Sequence, residues 1–479
     1  MNTLLTSSAI DLAARIRTRE VSAREVVEVH IQQAQRANPE LNAIVVDRYD
    51  AARREATLAD DRVRAGGDDL PPLLGVPCTI KEAFAVEGMP NSSGLVARKD
   101  RRCDRDAITV TRLRRAGAIP LGVTNVSELC MWMESSNRVY GRTNNPYDPS
   151  RIVGGSSGGE GAIIGCGASP FGLGSDIGGS IRMPAFFNGV FGHKPTGGMV
   201  PSSGQFPVAA EGALRYLTTG PLARRAEDLM PLLRILAGPD PGDARCAPFE
   251  LGDPAAVAID SLRVISIADN GGVRVSSELQ AAQQRCEEAL ARRGARVERR
   301  SISALRHSFD IWSAALTEAG GPSFSSMLGE GTEITPYREL AAWALRRSPH
   351  TLPAIALAML EKVGKVMPAR TRRFVEVGRR LRDELSALLA DDGVILYPSY
   401  PSVAPRHLKP MMPPFQWVYT AVFNVMELPV TQVPLGLGRE LLPLGVQVVA
   451  RHGRDHQSIA VAMALEEDFG GWVPPPRWS

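Results

Sequence analysis

Apolar positions along the chain change their period several times. Ser22 is followed three residues later by Glu25, a capping box, and behind it Val26, Val27, Val29, Ile31 and Ala34 keep helical spacing, so a helix starts there. The run from Asp50 to Gly66 mixes charges with small apolar residues in the manner of a second, exposed helix. Farther on, short, mostly apolar runs at Ala118–Val123, Leu262–Ala268, Val394–Tyr397, Val430–Leu435 and Leu444–Ala450 alternate with helical stretches. Apolar runs of that length predict buried strands, and alternation of strand with helix predicts an α/β fold. Neither an internal repeat nor a linker rich in Pro, Gly and Ser divides the chain, which predicts one large domain over residues 1–479.

Composition narrows the class. With 479 residues, 44% hydrophobic and 22% charged, the chain is long and apolar enough for a large core, which excludes disorder and fibres. Fifty-five basic against 52 acidic residues leave +3, too balanced to predict a nucleic-acid partner. Cys78, Cys103, Cys130, Cys166, Cys246 and Cys286 are scattered with no CxxC and no His at ligand spacing, so neither a metal site nor a disulfide framework is expected. Charge interrupts the first twenty residues before a signal peptide or membrane span could form, and the expected location is the cytoplasm or, at most, a membrane surface.

Two stretches depart from the pattern. Fifteen of the chain's 45 glycines fall between Gly154 and Gly198, a density that lets many backbone amides aim at one point. Between Arg346 and Arg382 ten Lys or Arg face two Glu, and these charges flank the apolar run Leu352–Leu360. That stretch reads either as a solvated helical surface with its apolar side packed inward or as a surface for peripheral membrane contact.

The Gly-rich block has no GxxxxGK[ST] and no dinucleotide fingerprint, so phosphate cradling is not expected. It holds serines flanked by glycine twice, Ser156 and Ser157 in GGSSGG and Ser180 in DIGGSIR, on either side of a predicted helix Glu160–Gly167. Successive N–H groups at Ile177, Gly178 and Gly179 suit an oxyanion hole for a Ser180 nucleophile. Such a serine needs a base. His193, in a turn after an apolar strand, has nothing to aim it at Ser180 and reads as structural, and no GxSxG elbow surrounds Ser180. Lys81 follows Leu74, Val76 and Ile80 at an apolar strand end; buried there it could be neutral and basic, while exposed it would be an ordinary loop lysine.

The GVPxxIK lysine, GGSSGG and DIGGSIR, in that order, resemble the amidase signature family. The likeness extends to TNVSELCMWMESSNRVYGRTNNP, RMPAFFNGVFGHKPT, LPVTQVPLGL, LPLGVQVVA and FGGWV, flanks that resemble fatty-acid amide hydrolases of the second type. It is strong over about 74–207 and again near the C-terminus, and poor over about 240–392, where the family builds its acyl channel.

The resemblance implies a large twisted mixed β-sheet surrounded by α-helices and an amidohydrolase that needs no cofactor. It implies Ser180 as nucleophile, Ser156, in a cis peptide, as bridge, and Lys81 as base. Oxyanion amides fall at Ile177, Gly178, Gly179 and Ser180, supporting positions at Ser157 and Arg182, and a loop approaching the scissile group at Cys130 and Met131. The implied partner is a small-molecule amide, fatty-acid or aryl. A peptide or short-chain amidase, or the glutaminase subunit of a tRNA-dependent amidotransferase, are the alternatives, and a homodimer is expected from the relatives.

Overall fold

The computed structural model describes residues 2–67, 69–364, 368–412 and 415–478, without the side chains of 362–364. Its first helix of length is Ala23–Leu41, where Ser22 Oγ accepts the Glu25 N–H at 3.0 Å, the cap read from the sequence. Val26, Val27, Ile31 and Ala34 on its inner face are fully buried. The second predicted helix runs Tyr49–Ala65 and stops at Gly66.

Strands follow as β1 (Ile44–Asp47), β2 (Pro77–Lys81), β3 (Ile119–Thr124), a two-stranded ribbon β4 (Ser136–Asn137) and β5 (Gly141–Arg142), β6 (Phe171–Asp176) and β7 (Phe191–Lys194). They continue as β8 (Thr218–Ala223), β9 (Arg263–Ser266), β10 (Arg296–Arg299), β11 (Gly393–Tyr397), β12 (Val430–Leu437) and β13 (Pro443–Ala450). All but the ribbon join one 11-stranded sheet in the order β1-β3-β2-β6-β8-β7-β12-β13-β11-β9-β10. Pairing is parallel within β3-β2-β6 and within β11-β9-β10 and antiparallel elsewhere, so the sheet is mixed. Every residue of β2, β3, β6, β8, β11 and β13 is buried, which requires cover on both faces and explains the apolar runs read at β3, β11 and β13.

The five strands read from apolar runs are present with ends displaced by two residues or fewer. The helix expected at Glu160–Gly167 lies at Gly158–Gly165. The sequence placed His193 in a turn; it lies inside β7, a four-residue strand that contains Gly192 and is followed by Pro195 and so carries too weak a pattern to separate from its turn.

The basic stretch forms helices Leu352–Gly364 and Pro368–Leu389, and residues 365–367 lie outside the described residues. Phe374, Gly378, Leu381 and Leu385 face inward while Arg372, Arg373, Arg379 and Arg380 are exposed. Arg370, Arg379 and Arg382 pair with Asp310, Glu318 and Glu427 at 2.8, 3.2 and 2.8 Å. Among the described residues no helix is long and apolar enough to cross a membrane.

Candidate active site

Lys81 is the last residue of β2 and is fully buried. Its Nζ lies 2.7 Å from Ser156 Oγ and 2.9 Å from Ser175 Oγ. Burial penalises the ammonium and holds its pKa below the ordinary lysine value, opposed by Cys130, Asp176 and Glu160 nearby. A lysine in this position can exchange a proton with a hydroxyl, which a hydrated ammonium at its usual pKa does not do at neutral pH.

Ser156 follows a cis peptide bond from Gly155 and is nearly inaccessible. The segment is pinned by Ser135, whose Oγ accepts the Gly158 N–H at 3.0 Å and donates to the Gly154 carbonyl at 3.1 Å. The next residue stitches the two serine clusters together: Ser157 N–H donates to the Ser180 carbonyl at 3.2 Å. Ser157 Oγ itself sits 3.4 Å from both the carbonyl and the amide nitrogen of Ser175. No direct side-chain hydrogen bond joins Ser156 to Ser180 among the described residues; the Ser180 side is reached through the Ser157 backbone.

Ser180, 8% exposed, lies in the turn between β6 and helix Arg182–Phe187. Asp176, at the end of β6, shapes that turn. Its carboxylate accepts the N–H groups of Gly179 at 2.7 Å and Ile181 at 3.1 Å, and the Arg182 guanidinium at 3.0 and 2.9 Å. Burial alone would raise the Asp176 pKa; the charge and hydrogen bonds of Arg182, with Asn424, outweigh it and hold the group well below the usual carboxylate range. The carbonyls of Ile177 and Gly178 are held from outside, by Trp312 Nε1–H and Thr420 Oγ–H, both at 2.8 Å.

Of the four amides assigned to an oxyanion hole from the sequence, Gly179 is committed to Asp176, and those of Ile177, Gly178 and Ser180 have no acceptor among the described residues. Arg182 is fully buried and faces Asp176, Thr420, Asn424 and Gln447, so it supports the turn from beneath. Cys130 lies near Lys81, in a loop where Leu129 and Cys130 take φ of 51° and 58°. Met131 packs on a separate apolar cluster of Leu95, Leu129, Phe324 and Leu328.

His193 takes no part. Its ring bonds Thr431 Oγ at 2.9 Å and Asp455 at 3.0 Å, fully buried. Ser175, the third hydroxyl at the lysine, and Asp176 were not singled out from the sequence, although both stand in the Gly-rich block between Gly154 and Gly198. Nor were Trp312, Thr420 and Asn424, which arrive from elements more than 130 residues away in sequence and leave no local signal. Among the described residues no three His, Cys, Asp or Glu side chains are grouped to hold a metal ion.

The amidase family model matches residues 25–459. The chain is 46% identical to fatty-acid amide hydrolase 2-A of Danio rerio and 45% identical to fatty-acid amide hydrolase 2 of Homo sapiens, in each case over 99% of this chain and 91% of the relative. Among solved structures, 6-aminohexanoate cyclic dimer hydrolase in complex with its substrate superposes with a TM-score of 0.82 at 28% identity, covering 97% of each chain.

Proposed function

The chain belongs to the amidase family and is an amide-bond hydrolase, and from that premise we propose that it cleaves lipophilic amides, fatty-acid or aryl, by acyl transfer through Ser180, Ser156 and Lys81. The observation that carries this reading is the buried Lys81 amine 2.7 Å from Ser156 Oγ. Neutral Lys81 draws a proton from Ser156, which draws one from Ser180 as its oxygen attacks the amide carbonyl. The developing oxyanion is met by the free N–H groups of Ile177, Gly178 and Ser180, in a site where such donors count for much more than in water. The relay then returns a proton to the departing amine, and water hydrolyses the acyl-Ser180 ester by the same route in reverse.

The substrate class is supported by the two 45–46% identical relatives and by an aromatic wall beside Gly178. A β-carbon at Gly178 would lie 3.3 Å from the Trp417 ring and 3.6 Å from Trp312. These two rings meet edge to face at 4.8 Å, and Phe309 continues the wall to Phe415 at 4.4 Å. Such a surface favours an acyl chain or ring over a short polar acyl group.

A fluorophosphonate probe followed by mass spectrometry is expected to modify Ser180 and no other serine, and long-chain or aryl amides are expected to turn over faster than short-chain ones. Labelling elsewhere, or hydrolysis undiminished in Lys81→Ala, would refute the relay; absence of long-chain and aryl turnover would remove the substrate class. A homodimer, and lipid contact through 346–382, where Leu360 is 44% exposed, belong to the same proposal. Light scattering and liposome flotation test them.

A further inference from the structure

Glu160 stands behind Lys81 and has no part in the chemistry above. Helix Gly158–Gly165 sets it against one face of the sheet. Thr79 and Lys81 of β2 share that face by the two-residue strand period, with Thr124 of β3 in register with Lys81 and Gly172 of β6 in register with Thr79. The carboxyl is fully buried and held by two hydroxyls: Thr79 Oγ–H donates to Oε2 at 2.6 Å and Thr124 Oγ–H to Oε1 at 2.7 Å. The sheet makes room for it at Gly172, where a β-carbon would lie 1.7 Å from Oε2.

The network accommodates either charge state. With Glu160 ionised, both hydroxyls donate to it. With Glu160 protonated on Oε1, the proton is given to Thr124 Oγ, whose own hydrogen turns to the Ile80 carbonyl 3.5 Å away. Both arrangements leave each oxygen with a partner, so neither is excluded by an unpaired buried group.

We infer that Glu160 is a positioning residue that sets the charge state of Lys81 from behind. The inference rests on Lys81 being the base. A negative charge at 160 keeps the proton on Lys81; a neutral carboxyl releases it. The other groups facing the pair are Ser156, Ser175, Cys130 and Asp176 around Lys81, and Thr79, Thr124 and Cys78 around Glu160. Burial raises the Glu160 carboxyl while the two hydroxyls and Lys81 lower it, so its ionisation answers to the charge on Lys81.

The test is the pH profile of kcat/KM for a soluble aryl amide, with the rate of fluorophosphonate labelling of Ser180 as a second readout. Glu160→Gln keeps the size and removes the charge. Lys81 then loses a stabilising anion, its pKa falls, and the acid limb is expected to move to lower pH by about one unit. At a pH one unit below the wild-type midpoint, the variant would run roughly five-fold nearer its own plateau. Thr79→Val, which removes one donor to the carboxylate, is expected to move the limb the same way by less, and it carries the test if Glu160→Gln does not give a cooperative thermal melt. A lowered rate with an unmoved midpoint, or a midpoint moved upward, overturns the inference. Lys81→Ala separates the two levels: if it keeps the wild-type profile the base assignment itself fails, whereas an inactive Lys81→Ala beside an unmoved Glu160→Gln midpoint refutes only the role of Glu160.

Discussion

Arg182 grips Asp176 through two nitrogens, Nε at 3.0 Å from Oδ2 and Nη2 at 2.9 Å from Oδ1, with both side chains wholly buried. The same carboxylate takes the N–H groups of Gly179 and Ile181, on either side of Ser180, so the ion pair is also the template of the turn that carries Ser180. Removing one partner strands a buried charge, which costs about 3–5 kcal/mol. Arg182→Ala is expected to lose that much in urea denaturation and to lose Ser180 labelling with it. Arg182→Lys replaces a planar fork by a point charge and is expected to recover little, because Nη1 donates to both Thr420 and Gln447 while Nη2 donates to Asn424 as well as Asp176. A loss below about 1 kcal/mol in Arg182→Ala would contradict the template role.

Gly179 is the position in that turn least able to change. Its φ is +120°, and a β-carbon there would sit 2.0 Å from Thr420 Oγ, the hydroxyl that holds the Gly178 carbonyl. Gly179→Ala is therefore expected to displace the amides of Gly178 and Ser180 together. The rate should fall by about 100-fold or more, the scale for one lost oxyanion donor, while circular dichroism shows the secondary structure retained. Undiminished turnover in Gly179→Ala would mean that these amides do not meet the oxyanion.

Strands such as β3 and β13 were legible because runs dominated by Val, Ile, Leu and Ala have one cheap solution, burial on both sides. β6 was not: Phe171–Asp176 reads FGLGSD, and its glycines look like turn residues until the neighbours that fill their space are known, Glu160 against Gly172 among them. The serines and lysine of the candidate site could be picked out because Gly-Gly-Ser is a rare local pattern and carries a chemical meaning. What holds them could not. Trp312, Thr420 and Asn424 belong to helices far along the chain, and Asp176 differs from any other aspartate only through Arg182 lying opposite. The site amides were readable as a group, but that Asp176 takes Gly179 out of the set is a matter of 2.7 Å, which no spacing encodes.

His193 is expected to matter for stability and not for chemistry. Its ring links Thr431, which donates to Ser458 at 2.9 Å, with Asp455, which also accepts from Thr196 N–H at 2.9 Å. Burial would raise the Asp455 pKa, and His193 with Thr196 outweighs it and holds the carboxylate below its ordinary range. His193→Ala leaves buried polar groups without partners and is expected to cost about 1–3 kcal/mol by chemical denaturation. The Ser180 labelling rate and the pH profile of the folded fraction should be unchanged. A moved acid limb in this variant would bring the histidine back as a candidate base.

Lys194 closes β7 as a fully buried lysine whose amine donates to the Pro195 carbonyl at 2.9 Å. Burial, with repulsion from Arg182, pulls its pKa down to about 7 against the attraction of Asp176, Asp455 and Glu427. In the unfolded chain it returns to about 10.4. Between those two values the unfolded state holds a proton that the folded state lacks, so unfolding free energy rises with pH at about 1.4 kcal/mol per unit. Below pH 7 both states are protonated and the contribution stays at its minimum; above the unfolded value both are neutral and it stays at its maximum. Lys194→Met removes this titration and leaves the others in place. Urea denaturation of the two proteins at pH 7, 8 and 9 is therefore expected to give a wild-type minus variant difference that climbs by about 1.4 kcal/mol per unit. A flat difference would mean that Lys194 keeps its ordinary pKa in the fold, and a falling one that its proton is held more tightly folded than unfolded.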